Sequence, residues 1–293
     1  MEKKIIIDSI PSKLYIPGTS GRFLYIRHGE TQYNIDSENI EYNVIKTMSE
    51  YIDCPLTENG KKQAKKCQSL FNSFEIEQIF VSPLYRALQT ASILFENHPN
   101  KKNINIKIHP LLTEMVSGVH NFTYEIQKHK LEFNENSNIK FDWSIFDEYY
   151  NTAILQDLFF LNFIDRLNDQ EKKEQFDKIY CKYGTNEIKE SVANLSKYVV
   201  EKNIKYHESV YHLFLRNIEF KNFLKKNFKK DNVNNNKKII VVTHNCFCMM
   251  GTSKDAYKLT YNDEDNFPED RYDLQNCEVI SMLISNIYKY KYI

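Results

Sequence analysis

Arg27 and His28 end the apolar run FLYI, Arg86 stands three residues after VSP, and His244 ends the run IIVVT. A carboxylate, Glu114, follows the apolar stretch INIKIHP by the short link LLT. Taken singly, each reads as an ordinary packing or hydrogen-bonding residue. Together at one sheet edge they resist that explanation, because two guanidiniums and two charged imidazoles repel one another. An anion between them relieves the repulsion, and the forked guanidinium matches the oxygens of a phosphate. The chemistry open to such a set is phosphoryl transfer. A neutral imidazole can attack phosphorus, and the covalent intermediate divides one difficult displacement into two easier ones. Arg27, Arg86 and a second, protonated His244 could stabilise the equatorial charge without a metal. Glu114 could give a proton to the departing alkoxide and later take one from the attacking water.

These residues need a scaffold that aligns the ends of several strands. Five short apolar runs read as strands: 22–27, 78–83, 104–110, 237–244 and 278–284. Their near-continuous β-branched and aromatic content suits strands buried on both faces. Between the first two, Thr57 is placed to cap a helix, with Ala64, Cys67, Leu70 and Phe71 on one face. Between the second and third, Ala87, Thr90, Ala91 and Leu94 recur at helical spacing. Strand and helix alternating in this way predict an α/β fold: a three-layer sandwich with a mostly parallel central sheet flanked by helices, ligands binding beyond the carboxyl ends of the strands. From about 121 to 236 the chain turns polar and aromatic, with helix-like stretches such as TAILQDLFFLNFIDRL and HESVYHLFLRNIEFKNFLKKNF. This reads as a helical insertion within a single catalytic domain spanning 1–293.

Lys plus Arg (39) balances Asp plus Glu (39), so no overall field favours nucleic acid or an anionic membrane, and any attraction for an anion is local. Arginine is confined to Arg22, Arg27, Arg86, Arg166, Arg216 and Arg271 in a lysine-rich chain, which marks places where a planar fork is needed. Six thinly spread cysteines and no long apolar window predict a reducing, cytoplasmic setting without a membrane anchor. The cluster His244, Cys246 and Cys248 lacks the second ligand pair that tetrahedral zinc usually has, so no metal is expected. His120, Lys128, His129 and Lys130 could form a cationic rim, but a solvated helix face is the default reading.

The segments LYIRHGETQYN, DCPLTENGKKQAKK (53–66), VSPLYRALQTA (81–91) and VVTHNCF (241–247) resemble, in order, the signatures of the histidine phosphatase superfamily in its phosphoglycerate-mutase-like branch. That resemblance implies that His28 is the nucleophile, that Arg27, Arg86 and His244 hold the phosphoryl group, and that Glu114 is the proton donor. It further implies a phosphate contact from Asn34 and places Thr31 in the loop that can cover the substrate. There are departures. Asn245 stands where the family usually has glycine, and His120 and Asn121 stand where it often has Trp and Glu. The glycolytic mutases' ERHYG-like loop and carboxylate-gripping Arg pair are missing.

The expected activity is therefore metal-independent hydrolysis of phosphomonoesters, with no cofactor. A mutase interconverting 3- and 2-phosphoglycerate, which would use bisphosphoglycerate, is the alternative, and a catalytically silent phospho-ligand scaffold is a third reading. Expected partners are a small phosphorylated metabolite or a phosphoprotein, not nucleic acid or membrane; an exposed sheet edge could pair two copies.

Overall fold

The computed structural model describes residues 3–7, 14–121, 126–135, 139–151, 208–228, 237–260, 263, 266–284 and 288–292. The stretch TAILQDLFFLNFIDRL, Arg166, Cys181 and most of the polar loop 229–238 lie outside the described residues.

The strands are β1 (Lys3–Ile7), β2 (Tyr15–Pro17), β3 (Phe23–Arg27), β4 (Ile76–Val81), β5 (Asn105–Ile108), β6 (Lys140–Asp142), β7 (Lys238–Thr243), β8 (Val279–Met282) and β9 (Tyr288–Tyr292). β1 and β9 form a separate antiparallel ribbon. The other seven make one sheet in the order β2-β8-β3-β7-β4-β5-β6. β3, β7, β4, β5 and β6 run parallel, while β8 is antiparallel to β3 and β2 to β8.

Alternation along the central strands divides the core in two. Leu24, Ile26, Ile79, Val81, Ile240 and Val242 pack with Ala64, Phe71, Ala87, Ala91 and Leu94. These come from helices α3 (Glu58–Asn72) and α4 (Tyr85–Phe95), which follow the short α1 (Gln32–Asp36) and α2 (Tyr42–Ile45). On the other face Tyr25, Phe80, Ile239 and Val241 pack with Leu213, Phe214, Phe220 and Phe247, from helices α7 (Val210–Asn227) and α8 (Asn245–Thr252). The result is the expected three-layer α/β sandwich.

Thr57 caps α3 as expected, accepting from the Gly60 amide. Leu70 does not join the α3 core face and is 37% exposed. The expectation of a purely helical insertion needs correction where it is described. Helices α5 (Ile126–Glu135) and α6 (Ser144–Asn151) are there, but Lys140–Asp142 joins the sheet edge beside β5. Three residues are too short for a periodic signal, and Phe141 alone is buried among them.

Register aligns the strand ends. Arg27 pairs with Thr243, Val242 with Val81, and Val81 with Ile108. Two hydrogen bonds prolong the pairing past the strands: the His28 amide donates to Thr243 O at 3.0 Å and the Ser82 amide to Val242 O at 3.0 Å. The residues that follow each strand are thereby delivered to one edge.

The loop after β3 is pressed onto the start of α3 through two facing glycines. A Cβ on Gly29 would lie 2.6 Å from Gly60 O, and one on Gly60 would lie 2.2 Å from Glu30 O. Gln63 and Thr90 side chains accept from the Glu30 and Gly29 amides, which fixes the loop on the starts of α3 and α4. Gly60→Ala is expected to force this loop away from α3, costing about 2 kcal/mol and lowering the melting temperature by roughly 5 °C. An unchanged thermal midpoint, measured by calorimetry, would show that the contact is not needed.

Candidate active site

His28 stands at the carboxyl end of β3, 3% exposed. Its Nδ1 lies 2.7 Å from Gly29 O. A carbonyl oxygen can only accept, so Nδ1 carries the proton and Nε2 keeps its lone pair. Nε2 accepts from Arg86 Nε at 3.2 Å. Burial, reinforced by the charges of Arg86 and Arg27, pushes the His28 imidazole well below its ordinary pKa and keeps it neutral.

Arg86 is held on both sides of its fork. Nη1 donates to His120 O at 2.7 Å and Nη2 to Asn121 Oδ1 at 2.9 Å. The Asn121 amide in turn donates to Met115 O and Ser117 Oγ, so the segment after Glu114 is folded back as the cradle of the guanidinium. Arg27 donates from Nη1 to Leu274 O at 2.6 Å. Burial lowers the pKa of its guanidinium, with the Glu114 charge opposing that shift and the Arg86 charge adding to it.

Glu114 accepts from two backbone amides: Met115 to Oε1 at 2.8 Å and Cys246, in the first turn of α8, to Oε2 at 3.3 Å. The loop that presents it is clamped from beneath. Arg216 donates to Leu111 O, Thr113 O and Glu114 O, and is paired with Glu208 through both nitrogens of its other edge. Arg216 is 4% exposed and reaches Glu114 only through its backbone carbonyl among the hydrogen bonds described. Its signal in the sequence was the scarcity of arginine.

His244 is brought close, its ring 5.0 Å from that of His28, but it stands behind the cleft rather than in its wall. Nε2 lies 2.7 Å from Ser82 Oγ, and Nδ1 is buried without a hydrogen bond. Burial and the nearby cations push its pKa well below the ordinary value.

A cavity of about 310 Å³ opens over these groups, and Arg27, His28, Arg86 and Glu114 line it with Thr31 and Asn34. Thr31 caps α1, and Asn34 Oδ1 accepts from both the amide and the hydroxyl of Thr31. The Asn34 oxygen is thus committed locally, leaving its NH₂ for a ligand. His120 and His129 are not on a solvated helix face. They are 7% and 3% exposed, His120 stacked on Tyr33 and His129 on Tyr85 beside Asp53. Among the described residues no group of three His, Cys, Asp or Glu side chains could hold a metal ion.

Asn245, which stands where the resembled family usually has glycine, begins α8, is not among the described positive-φ residues and lines the cavity. Its Oδ1 accepts from the Leu274 amide at 2.8 Å, and its Nδ2 donates to Asp273 at 3.2 Å. Leu274 thus has its N–H on Asn245 and its C=O on Arg27. Replacing Asn245 with Gly should free Leu274, loosen Arg27 and weaken inorganic phosphate binding about fivefold to tenfold. In an Arg27→Ala background the same change should have no further effect. Calorimetric titration of the four proteins checks this; additive losses would separate Asn245 from Arg27.

Residues 23–146 match the histidine phosphatase superfamily (branch 1). The chain is 35% identical over 94 residues to fructose-2,6-bisphosphatase TIGAR B of Danio rerio, covering 32% of this chain and 34% of that one. It is 34% identical over 93 residues to fructose-2,6-bisphosphatase TIGAR of Xenopus laevis, covering 32% and 31%. To the adenosylcobalamin/alpha-ribazole phosphatase of Escherichia coli it is 30% identical over 109 residues, covering 37% and 45%. It thus spans less than half the length of each. The segment that matches the histidine phosphatase superfamily contains Arg27, His28, Arg86 and Glu114, and the likeness is one of residues 23–146.

Proposed function

We propose that this protein hydrolyses phosphomonoesters through a phosphohistidine on His28. The observation that carries the reading is the state of His28: a neutral imidazole with its Nδ1 proton tied to Gly29 O and its Nε2 lone pair turned toward Arg86. In the first step the lone pair forms an N–P bond as the ester P–O bond breaks, and the departing alkoxide takes a proton from the Glu114 carboxyl. In the second, Glu114 removes a proton from water, the oxygen forms its bond to phosphorus, and the N–P bond breaks to release phosphate. Arg27, Arg86 and the Asn34 amide would hold the transferring oxygens, with His244 charging as the dianion arrives and Thr31 holding Asn34 in place. No step calls on a metal.

The names of the relatives favour a phosphatase over a mutase. A mutase must also shield its phosphohistidine from water and grip a carboxylate, for which the sequence carries no matching Arg pair. A mutase would interconvert phosphoglycerates faster than it releases phosphate, and a coupled assay of both rates decides between the two.

His28→Ala should lower phosphate release from a monoester panel by at least about a thousandfold; residual turnover near the wild-type rate would remove His28 from the mechanism. Because the folded-state pKa of His28 is depressed, the ring stays neutral as pH falls through the ordinary 6.5. Corrected for the substrate's own ionisation, kcat/KM should accordingly show no inflection from His28 there. A tenfold fall per pH unit beginning near 6.5 would contradict a buried, neutral nucleophile.

A further inference from the structure

The cavity is lined by two chemically different sets of residues. Arg27, His28, Arg86 and Glu114 carry the charge, and Tyr33, Tyr42, His120, Ser37 and Ser117 make a second, largely aromatic wall that reaches the exposed Tyr42 and is called the outer wall. The outer wall is ordered by its own contacts. Tyr33 stacks on His120 with centroids 3.6 Å apart and planes at 14°, and Tyr51 meets the Tyr33 ring edge-on at 5.7 Å. The Tyr51 hydroxyl is fixed in turn on Asp36. Tyr42 donates from its hydroxyl to Ser117 O at 2.8 Å, bridging α2 to the segment that follows Glu114. With its hydroxyl so engaged, Tyr42 remains 48% exposed, which leaves ring surface at the mouth.

Among the described residues, this outer wall includes no Lys, Arg, Asp or Glu. His120 is neutral, because burial and the Arg86 charge depress its pKa well below the usual value. The neighbouring cation, Lys46, is 9% exposed, and its ammonium lies over the Tyr42 ring 4.8 Å from the centroid. A second phosphate or a carboxylate entering here would lose hydration without gaining a lining cation. A ring would find aromatic faces to lie against, and hydroxyls of Ser37 and Ser117 for its polar edge.

We infer that the Tyr33–His120 stack and Tyr42 form a leaving-group subsite for an uncharged, ring-bearing alcohol, so that the substrate is a monophosphate of such a ring and not a bisphosphate or a phosphorylated acid. The inference rests on the proposed hydrolysis of phosphomonoesters and adds the class of the alcohol. It also sets this chain apart from the bisphosphate named for two of its relatives.

The test is a kcat/KM panel on the full chain with phenyl phosphate, a hexose monophosphate, ethyl phosphate, phosphoglycerate and a hexose bisphosphate. At least one of the two ring monophosphates should exceed both multiply charged esters about tenfold or more, and which of the two leads distinguishes an aryl from a sugar alcohol. Tyr42→Ala should lower kcat/KM for the preferred ring ester about fivefold to tenfold and leave ethyl phosphate within about twofold. Tyr42→Phe, which keeps the ring and loses the bond to Ser117, should retain the preference and guards against a folding defect. A preference for the bisphosphate or the acid, or an equal loss on every ester in Tyr42→Ala, overturns the subsite while leaving hydrolysis intact. Hydrolysis of none of the five esters overturns the phosphatase reading itself, and the subsite with it.

Discussion

A guanidinium buried among neutral groups is the constraint around which the site is arranged. Arg86 is 3% exposed, and it donates to a carbonyl oxygen, an amide oxygen and an imidazole nitrogen. Taking a cation out of water is costly unless an opposite charge or full hydrogen bonding compensates. Here the fork is satisfied geometrically by neutral groups among the described residues, and Arg27 adds a second positive charge to the same cleft. The two imidazoles respond by staying neutral. Under the proposed hydrolysis one condition would serve two ends: the cations that would attract a phosphate dianion also keep Nε2 of His28 unprotonated, and the anion's arrival would let His244 take up a proton. The carboxylate that completes the set is kept on its own spur, clamped by Arg216 and Glu208.

The sheet makes this possible at low cost in chain. Parallel pairing of β3, β7 and β4 is what brings Arg27, His28, Ser82 and His244 together, since each lies where its strand runs out. The antiparallel β8 has a part as well. Arriving from the loop that holds Arg27, it closes the edge with the Cys277 amide on Arg27 O at 3.1 Å and the Asn276 amide on His28 O at 3.0 Å. The loop 272–277 is thus a third support for His28, beside the Gly29–Gly60 contact and the cradle of Arg86.

Much of this was legible in the sequence because it depends on local rules. Continuous apolar runs gave four central strands and β8 within a few residues, Thr57 declared its cap, and Arg27, His28, Arg86, Glu114 and His244 could be placed by assuming that ligands gather where strands end. What escaped was set by contacts between distant segments. β2 and β6, three residues each, exist only because a neighbouring strand offers hydrogen bonds. The antiparallel sense of β8 follows from where its loop begins, which no periodicity encodes. His120 looked solvated because its neighbours are Lys-rich, whereas the Arg86 fork draws its backbone into the interior. Asn245 looked like a misfit for a glycine turn, and its side chain instead ties Leu274 to the helix start, a role visible only when residues 29 positions apart meet.

The proposed hydrolysis depends on one atom, Nε2 of His28. The most direct measurement is the position of the phosphoryl group on protein quenched during turnover of a phosphomonoester, read by phosphorus NMR of the denatured phosphoprotein together with peptide mapping. An acid-labile phosphohistidine at residue 28 bonded through Nε2 is expected, because Nδ1 is committed to Gly29 O. Phosphate on Nδ1 or on another residue, or rapid turnover with no labelled histidine at all, would contradict it.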